Sequence, residues 1–185
     1  MMSNLDCTSE TPILDSIQTA ANEINILDVE RVQETEINIV VRNKEYQFLI
    51  SKEGNETKAK YEGDLRIIIQ KDSTDLIEKL IYAPEVLRYK CRDKKGNLLV
   101  HVLCWRGFEK YAMYFTDKEN SLIRDCTGWT ALHYACWSDN LDTVSSIYQY
   151  GNEGAETLVD NYGNYPIDLT DNEEVRKILV ASHFD

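Results

Sequence analysis

The chain of 185 residues has no long apolar run. Crossing a bilayer as a helix takes about 20 consecutive apolar residues, and no stretch of this sequence approaches that length, so a membrane-spanning helix is not expected. The amino terminus also lacks a basic segment followed by an apolar one, and carries Asp6, Glu10 and Asp15 instead. Such a terminus does not match a secretory signal.

Cysteine pairs at short spacing are missing too. The five cysteines are odd in number, and no two of them form a C-x-x-C pair: Cys7, Cys91, Cys104, Cys126 and Cys136. This pattern matches neither a disulfide framework nor a zinc site. We therefore expect free thiols, no bound metal or other cofactor, and a location in the cytoplasm or the nucleus.

Clusters of Lys and Arg are absent as well. The formal net charge is -12, and the acids concentrate at the two ends. Residues 1–41 hold eight acidic residues and one basic residue, and residues 139–185 hold ten and two. Because binding to a phosphate backbone requires clustered basic side chains, nucleic acid is not expected as a partner. The acidic ends either solvate the surface or steer a partner with a basic surface, and both interpretations stay open.

What the sequence does contain is an internal repeat. The segment that begins at Asp93 aligns with the segment that begins at Asp125, at a constant offset of 32 residues. The aligned pairs are Gly96 with Gly128, His101 with His133, and Cys104-Trp105 with Cys136-Trp137. A third copy begins at Asp160, where Gly163 follows Gly128 by 35 residues. These spacings are close to a period of about 33 residues.

The second copy resembles the ankyrin-repeat family. Its residues 130–135, Thr-Ala-Leu-His-Tyr-Ala, are similar to the family signature T-P-L-H-x-A, with Ala131 in place of Pro. Thr130 can cap the first helix of the repeat, and Gly128 suits a turn that requires a positive φ. The resemblance implies a second helix in each repeat, at about residues 109–115, 141–150 and 173–180.

The first and third copies depart from the signature. The first reads Leu-Leu-Val-His at residues 98–101, so its helix has no side-chain cap. The third reads Tyr-Pro-Ile-Asp at residues 165–168 and leaves room only for a very short first helix, which suits a terminal repeat. Residues 75–92 resemble the second helix and return loop of a further repeat. We therefore expect a half repeat at 72–92 and repeats at 93–124, 125–159 and 160–185.

The histidines do not indicate catalysis. The resemblance implies that His101 and His133 are structural, each imidazole bonding backbone in the neighbouring turn, and His183 lies near the carboxy terminus. Without a usable histidine, a Cys or Ser nucleophile has no base. The sequence contains no G-x-S-x-G, P-loop or H-E-x-x-H motif and no recognisable pair of catalytic carboxylates. An enzyme is not expected.

Residues 1–70 match no family that we recognise. Apolar residues at helical spacing predict a helix over about 13–24, after Thr11 as cap and Pro12 at the first helical position. Stretches rich in Ile, Val, Tyr and Phe, separated by polar turns, predict strands. These stretches are residues 36–41, 46–50 and 65–70. Residues 1–70 are thus predicted to be a small domain that caps a repeat stack over 71–185.

The resemblance also implies which residues face a partner. In ankyrin repeats these are the residues between the Asp and the Gly, the residue after the Gly, and the two residues after the Ala-Ala pair of the signature. Here they are Lys94, Lys95, Asn97, Trp105, Arg106, Cys126, Thr127, Trp129, Trp137, Ser138, Asn161, Tyr162 and Asn164. The set includes all three tryptophans of the chain, and Trp is enriched in binding hot spots. Trp105 and Trp137 either belong to an interaction patch, or they extend the core by stacking on each other or under the amino-terminal domain.

The sequence as a whole predicts an α+β fold. A small domain of one helix and an antiparallel sheet is followed by a short α-solenoid of about three ankyrin repeats. The predicted function is non-catalytic protein–protein interaction, as an adaptor. Two alternatives stay open. Residues 1–70 could bind a small molecule or lipid, as in acyl-CoA-binding proteins with ankyrin tails, whose acyl-CoA motif we do not find. The chain could also be a microbial or viral effector that binds a host protein.

Overall fold

The computed structural model describes residues 29–30, 36–41, 44–151 and 153–181. The helix predicted over 13–24 lies outside these ranges, as do Cys7 and His183. The strands are β1 Val29–Glu30, β2 Glu36–Val41, β3 Lys44–Glu53, β4 Glu56–Tyr61 and β5 Arg92–Asp93. The α-helices are α1 Leu65–Ile68, α2 Thr74–Ile81, α3 Glu85–Lys90, α4 Leu99–Arg106, α5 Glu109–Ala112, α6 Ala131–Trp137, α7 Leu141–Tyr150 and α8 Glu173–Ala181.

The strands form one sheet in the order β1-β2-β3-β4-β5. Strands β1 to β4 pair antiparallel, while β5 lies parallel to β4 through the pairs Lys60–Arg92 and Tyr61–Asp93. The predicted strand at 36–41 is confirmed as β2, and the one at 46–50 lies within the longer β3. The sequence did not reveal β4, because among its residues only Ala59 is buried and the apolar alternation that marks a strand is missing.

The predicted strand at residues 65–70 is wrong, because this segment begins with helix α1. The Asp64 carboxylate accepts a hydrogen bond from the backbone N–H of Arg66 at 3.0 Å and so caps the helix. Leu65 and Ile68 are buried, whereas Ile67 is 63% exposed, which is the spacing of a helix face. A short apolar run does not distinguish a strand from a buried helix.

The helices stand in two layers. The inner layer consists of α1, α4, α6 and the 3₁₀ helix Pro166–Leu169, each packed on the next. The outer layer contains α5, α7 and α8, and Tyr111 of α5 donates a hydrogen bond to Glu78 of α2 at 3.0 Å. The predicted second helices are confirmed: α5 continues as the 3₁₀ helix Met113–Phe115, α7 covers 141–150, and α8 covers 173–180.

One buried core joins the sheet to the helices. Helix α2 packs on β2 and α3 packs on β4, so the sheet contributes Ile39 and Phe48 to the cluster that also contains Leu80, Leu103 and Ile147. The α+β fold with a repeat stack is therefore the architecture of the described residues. None of their helices combines the length and the apolar character that crossing a membrane would require.

Candidate functional site

Three loops of the same geometry precede the inner helices, and we call them the fingers: residues 93–97, 125–129 and 160–164. The backbone N–H of the first residue donates to the carbonyl of the fifth in each finger, at 3.0, 2.9 and 2.9 Å. The fourth residue is a glycine with φ of 80°, 84° or 87°. At Gly128 a side chain would also collide with the third finger, because a Cβ would lie 2.7 Å from the backbone nitrogen of Asn161. The glycines at 96, 128 and 163 are therefore turn residues, as predicted.

An aspartate holds each finger closed. Its Oδ1 accepts the backbone N–H groups of the third and fifth residues at 2.8–3.0 Å, in Asp93, Asp125 and Asp160 alike. Burial alone would raise the pKa of Asp160, but hydrogen bonds from Asn164, Tyr162 and Trp129 lower it to about 2. The carboxylate of Asp160 is therefore ionised at neutral pH, and its role is structural.

The residue after each glycine also turns towards a finger carboxylate. The side-chain amides of Asn97 and Asn164 donate to Oδ2 of the aspartate in their own finger, both at 3.0 Å. The indole Nε1 of Trp129 donates to Oδ2 of Asp160 in the next finger, at 3.0 Å. The prediction that these residues point outward is wrong for Asn97, which is 1% exposed, because its amide replaces water on the carboxylate.

The finger tips, in contrast, face solvent. All six tip residues are exposed: Lys94, Lys95, Cys126, Thr127, Asn161 and Tyr162. Tyr162 is the most open large apolar residue of those described, at 84%. Thr127 donates its hydroxyl to Asp125 at 2.7 Å, and the backbone N–H of Asn161 donates to the Thr127 carbonyl at 3.1 Å. The side-chain amide of Asn161 also donates to the Cys126 carbonyl at 3.1 Å. The second and third fingers are thus in contact, while the Tyr162 ring stays open to a partner.

Each signature histidine bonds the start of its own helix and a carbonyl in or just before the next finger. Nδ1 of His101 accepts the Leu98 N–H at 3.3 Å, and its Nε2 lies 3.1 Å from the Ile123 carbonyl. His133 does the same between the Thr130 N–H, at 3.1 Å, and the Asn164 carbonyl, at 3.3 Å. Because a carbonyl only accepts, Nε2 carries the proton in both rings. The predicted bond from each imidazole to neighbouring backbone is confirmed.

Charge and capping agree with this structural role. Burial lowers the pKa of His101 to about 4, with the nearby Asp125 acting in the opposite direction, so the imidazole is neutral at physiological pH. The predicted cap of the second repeat is also confirmed, since Thr130 Oγ1 accepts the His133 N–H at 3.4 Å. Leu98, at the same place in the first repeat, offers no such side-chain bond.

The tryptophans do not stack as one pair. Trp137 is 51% exposed and tilts against Trp129, with ring centroids 6.2 Å apart. Trp105 is half-buried beneath two guanidinium groups, those of Arg66 at 5.7 Å and Arg106 at 4.2 Å. In the described structure Trp105 and Trp137 therefore pack against different neighbours, and mutual stacking is wrong. The contact of Trp105 with Arg66 instead agrees with the expectation of packing under residues 1–70.

Several predicted site residues fall into two rows. The carboxy-terminal ends of the packed helices α4 and α6 form one row, and the finger tips form the other. We call these two rows the groove surface, and its predicted members are Lys94, Lys95, Trp105, Arg106, Thr127, Trp137, Ser138 and Tyr162. Asn97 lies inside the fold, and Trp129 and Asn164 are half-buried with their side-chain N–H groups already bonded. These three side-chain bonds could not be predicted from the residue spacing.

A second concavity lies away from the groove surface. It is a cleft of about 710 Å³ between β4 and the loop at residues 117–120. Its charges pair with one another, Lys58 with Glu53 at 2.6 Å and Lys90 with Glu119 at 3.5 Å. Among the described residues no group of three or more His, Cys, Asp or Glu side chains could hold a metal ion.

Comparison with known proteins identifies the repeats. A family model for ankyrin repeats, in three copies, matches residues 65–161. The match includes the helices from α1 to α7 and begins at α1, upstream of the half repeat that we expected from residue 72. No curated protein matches the chain.

Proposed function

Because this chain belongs to the ankyrin-repeat family, whose repeats generally bind other proteins, we propose that it is a non-catalytic adaptor that contacts its partner through the groove surface. Exposed large aromatic side chains on that surface carry the proposal. Trp137, at 51% exposure, and Tyr162, at 84%, lie there in neighbouring repeats. A rigid aromatic ring contributes much contact area at low entropic cost, and Trp and Tyr dominate binding hot spots.

The charge of the carboxy-terminal repeats supports a partner with a basic region. Four acids are exposed around α7 and the last 3₁₀ helix: Asp139, Asp142, Asp168 and Asp171. An acidic surface steers a basic partner and raises its association rate. The free thiols of Cys91, Cys104 and Cys136 are buried, which agrees with our proposal that the protein works in a reducing compartment, the cytoplasm or the nucleus.

Affinity capture from a native lysate, quantified by mass spectrometry, tests the proposal. A Trp137→Ala/Tyr162→Ala variant should lose at least about tenfold in captured partner, since truncating a hot spot costs about 2 kcal/mol or more. The matched control is Tyr82→Ala/Tyr114→Ala, which removes two exposed aromatic rings, 49% and 46%, at positions outside the groove surface, just after α2 and in the 3₁₀ helix Met113–Phe115. Equal capture by the two variants would refute a binding role for the groove surface.

A further inference from the structure

We infer that the part of the groove surface in the first repeat binds an acidic segment of the partner, whose carboxylates contact Arg106 and Lys94. This inference rests on the proposed function and adds the chemistry of the partner at one place. The acids of the carboxy-terminal repeats favour a basic region there, so the two ends of the groove surface select opposite charges.

The site is a continuous set of contacts. Lys95 Nζ lies 2.6 Å from Asp64 Oδ2, and Arg66 Nε lies 3.2 Å from Asp64 Oδ1. The guanidinium of Arg66 lies over the Trp105 ring, and Arg106 lies over the same ring. Nη2 of Arg106 also donates to the carbonyl of Arg66 at 2.8 Å. Lys94 adjoins Lys95 at the tip of the first finger, and its backbone N–H donates to the Gly63 carbonyl at 3.3 Å. We call Arg66, Lys94, Lys95 and Arg106 the basic cluster.

The basic cluster has more charge than its own acid can balance. Asp64 is 7% exposed and already bonds both Arg66 and Lys95. Burial would raise the pKa of Asp64, but hydrogen bonds from Lys95 and Arg66 lower it to about 2, so it supplies a single full negative charge. Within the described residues, the exposed side chains of Lys94 and Arg106 have no carboxylate partner. The charge of Asp93 also acts on Arg66, so two carboxylates offset two of the four cations and two positive charges remain for a ligand.

Arg106 is held in place before any ligand arrives. The bond to the Arg66 carbonyl uses one of its N–H groups, and its guanidinium carbon lies 4.2 Å from the centre of the Trp105 ring. Its remaining N–H groups can bind a carboxylate through two parallel hydrogen bonds. Because the guanidinium group is already ordered, binding costs less side-chain entropy. Ile67, the neighbour of Arg66, is 63% exposed and offers an apolar contact. The partner segment that fits this site therefore has acidic residues next to an apolar or aromatic residue.

The repeat architecture does not require these charges. At the offset of 32 residues, the second repeat has Cys126, Thr127 and Ser138 where the first has Lys94, Lys95 and Arg106. The basic cluster is therefore a property of one place on the chain. Its four cations sit on a protein of net charge -12, too few for the phosphate contacts that nucleic-acid binding uses. At physiological ionic strength screening acts beyond about 8 Å, so the cluster attracts anions locally in spite of the net charge.

Fluorescence anisotropy with labelled peptides tests the inference on the full chain. The probes are the peptides EEFEE, QQFQQ and KKFKK and an octamer of deoxythymidine, at 150 mM salt. We expect EEFEE to bind most tightly, and Lys94→Glu/Arg106→Glu to weaken that binding at least tenfold. The matched control, Lys118→Glu/Lys177→Glu, makes the same change in net charge at two exposed lysines away from the cluster and should leave binding within twofold. Thermal melting by circular dichroism checks that both variants are folded.

The other outcomes are decisive as well. Equal binding of QQFQQ, preference for KKFKK or for the oligonucleotide, or equal losses in the two variants would each overturn the inference. If partner capture depends on Trp137 and Tyr162 but EEFEE does not bind, the proposed function stands and this inference fails. If EEFEE binding requires the basic cluster while capture ignores Trp137 and Tyr162, the proposed function fails instead.

Discussion

The indole Nε1 of Trp129 donates a hydrogen bond to Oδ2 of Asp160 at 3.0 Å, across a separation of 31 residues. This bond ties the end of the second finger to the start of the third. The same oxygen accepts the side-chain amide of Asn164 at 3.0 Å. A tryptophan that the family pattern assigns to partner binding thus fixes the spacing between two fingers, and its N–H is not free for a partner.

Trp129→Phe should therefore destabilise the protein. The substitution keeps an aromatic ring against Tyr134 and Trp137 but removes the N–H that bonds the carboxylate. Hydrogen bonds to charged groups contribute about 1.5–3 kcal/mol, so we expect a loss of that size in urea unfolding followed by circular dichroism. Trp137→Phe is the control, since an exposed position should shift stability by less than about 0.5 kcal/mol. Equal effects would show that the Trp129 bond contributes nothing.

His133→Ala should lower the free energy of unfolding by about 1–3 kcal/mol, because it leaves the Thr130 N–H and the Asn164 carbonyl without their partner. A partner captured by the wild-type protein should still bind the variant below its melting temperature. Loss of binding with an unchanged melting temperature would assign His133 to the binding site instead.

Acid should weaken the fold between pH 6.5 and pH 4. The folded pKa of His101, about 4, lies below the value of 6.5 expected in the unfolded chain, so only the unfolded state takes up the proton in this window. The stabilisation is complete above pH 6.5 and declines as the pH falls, by about 3 kcal/mol at pH 4. Burial lowers the pKa of His133 too, which gives the same sign.

Urea unfolding at several pH values measures this dependence. In His101→Asn the stability should be lower at neutral pH but should change less between pH 6.5 and pH 4. The carboxylates of Asp64 and Asp160 add their own losses mainly below pH 4, because these losses run from the unfolded pKa of 3.8 down to the folded pKa of about 2. A slope that His101→Asn leaves intact would contradict the assignment of a neutral, buried imidazole.

The two predicted parts of the chain should unfold together. The boundary near residue 70 stays a prediction, but β5 completes the sheet beside β4, and the backbone N–H of Leu65 bonds Asp93 Oδ2 at 3.1 Å. A fragment of residues 72–185 lacks these contacts, so we expect poor solubility or unfolding at markedly lower denaturant than in the full chain. The full chain should unfold in one transition. Two transitions, one of them matching the fragment, would make residues 1–70 a separate functional domain.

Among the described cysteines, Cys126 should react fastest with a thiol reagent. It is exposed at a finger tip, whereas burial raises the pKa of Cys91 and Cys136 to about 12 and also raises that of Cys104. In a Cys7→Ser background, Ellman titration of the native protein should release one equivalent quickly, and denaturation should release three more. Cys126→Ser should abolish the fast phase. A disulfide in protein isolated from its own source would contradict the proposed reducing compartment.

The sequence predicted the repeats because each copy carries a local signal. These signals are the glycine of a finger, the cap at Thr130 and the apolar face of α7. Each involves residues only a few positions apart, so their spacing alone is informative. Helix α1 and strand β4 were missed because each depends on contacts with residues elsewhere in the chain. The N–H of Leu65 in α1 bonds Asp93, and β4 pairs with β3. The same holds for Asn97 and Trp129, since bonds to a carboxylate leave no periodic trace in the sequence.

The closed turns also determine how this surface can change through evolution. The finger carboxylates hold the turns through main-chain N–H groups, which every amino acid except proline supplies. These main-chain hydrogen bonds therefore survive substitution at the tip residues 94, 95, 126, 127, 161 and 162, provided that proline does not replace a residue whose N–H donates. Selection can exchange one partner for another by point mutation at the tips, without an intermediate that has lost its fold.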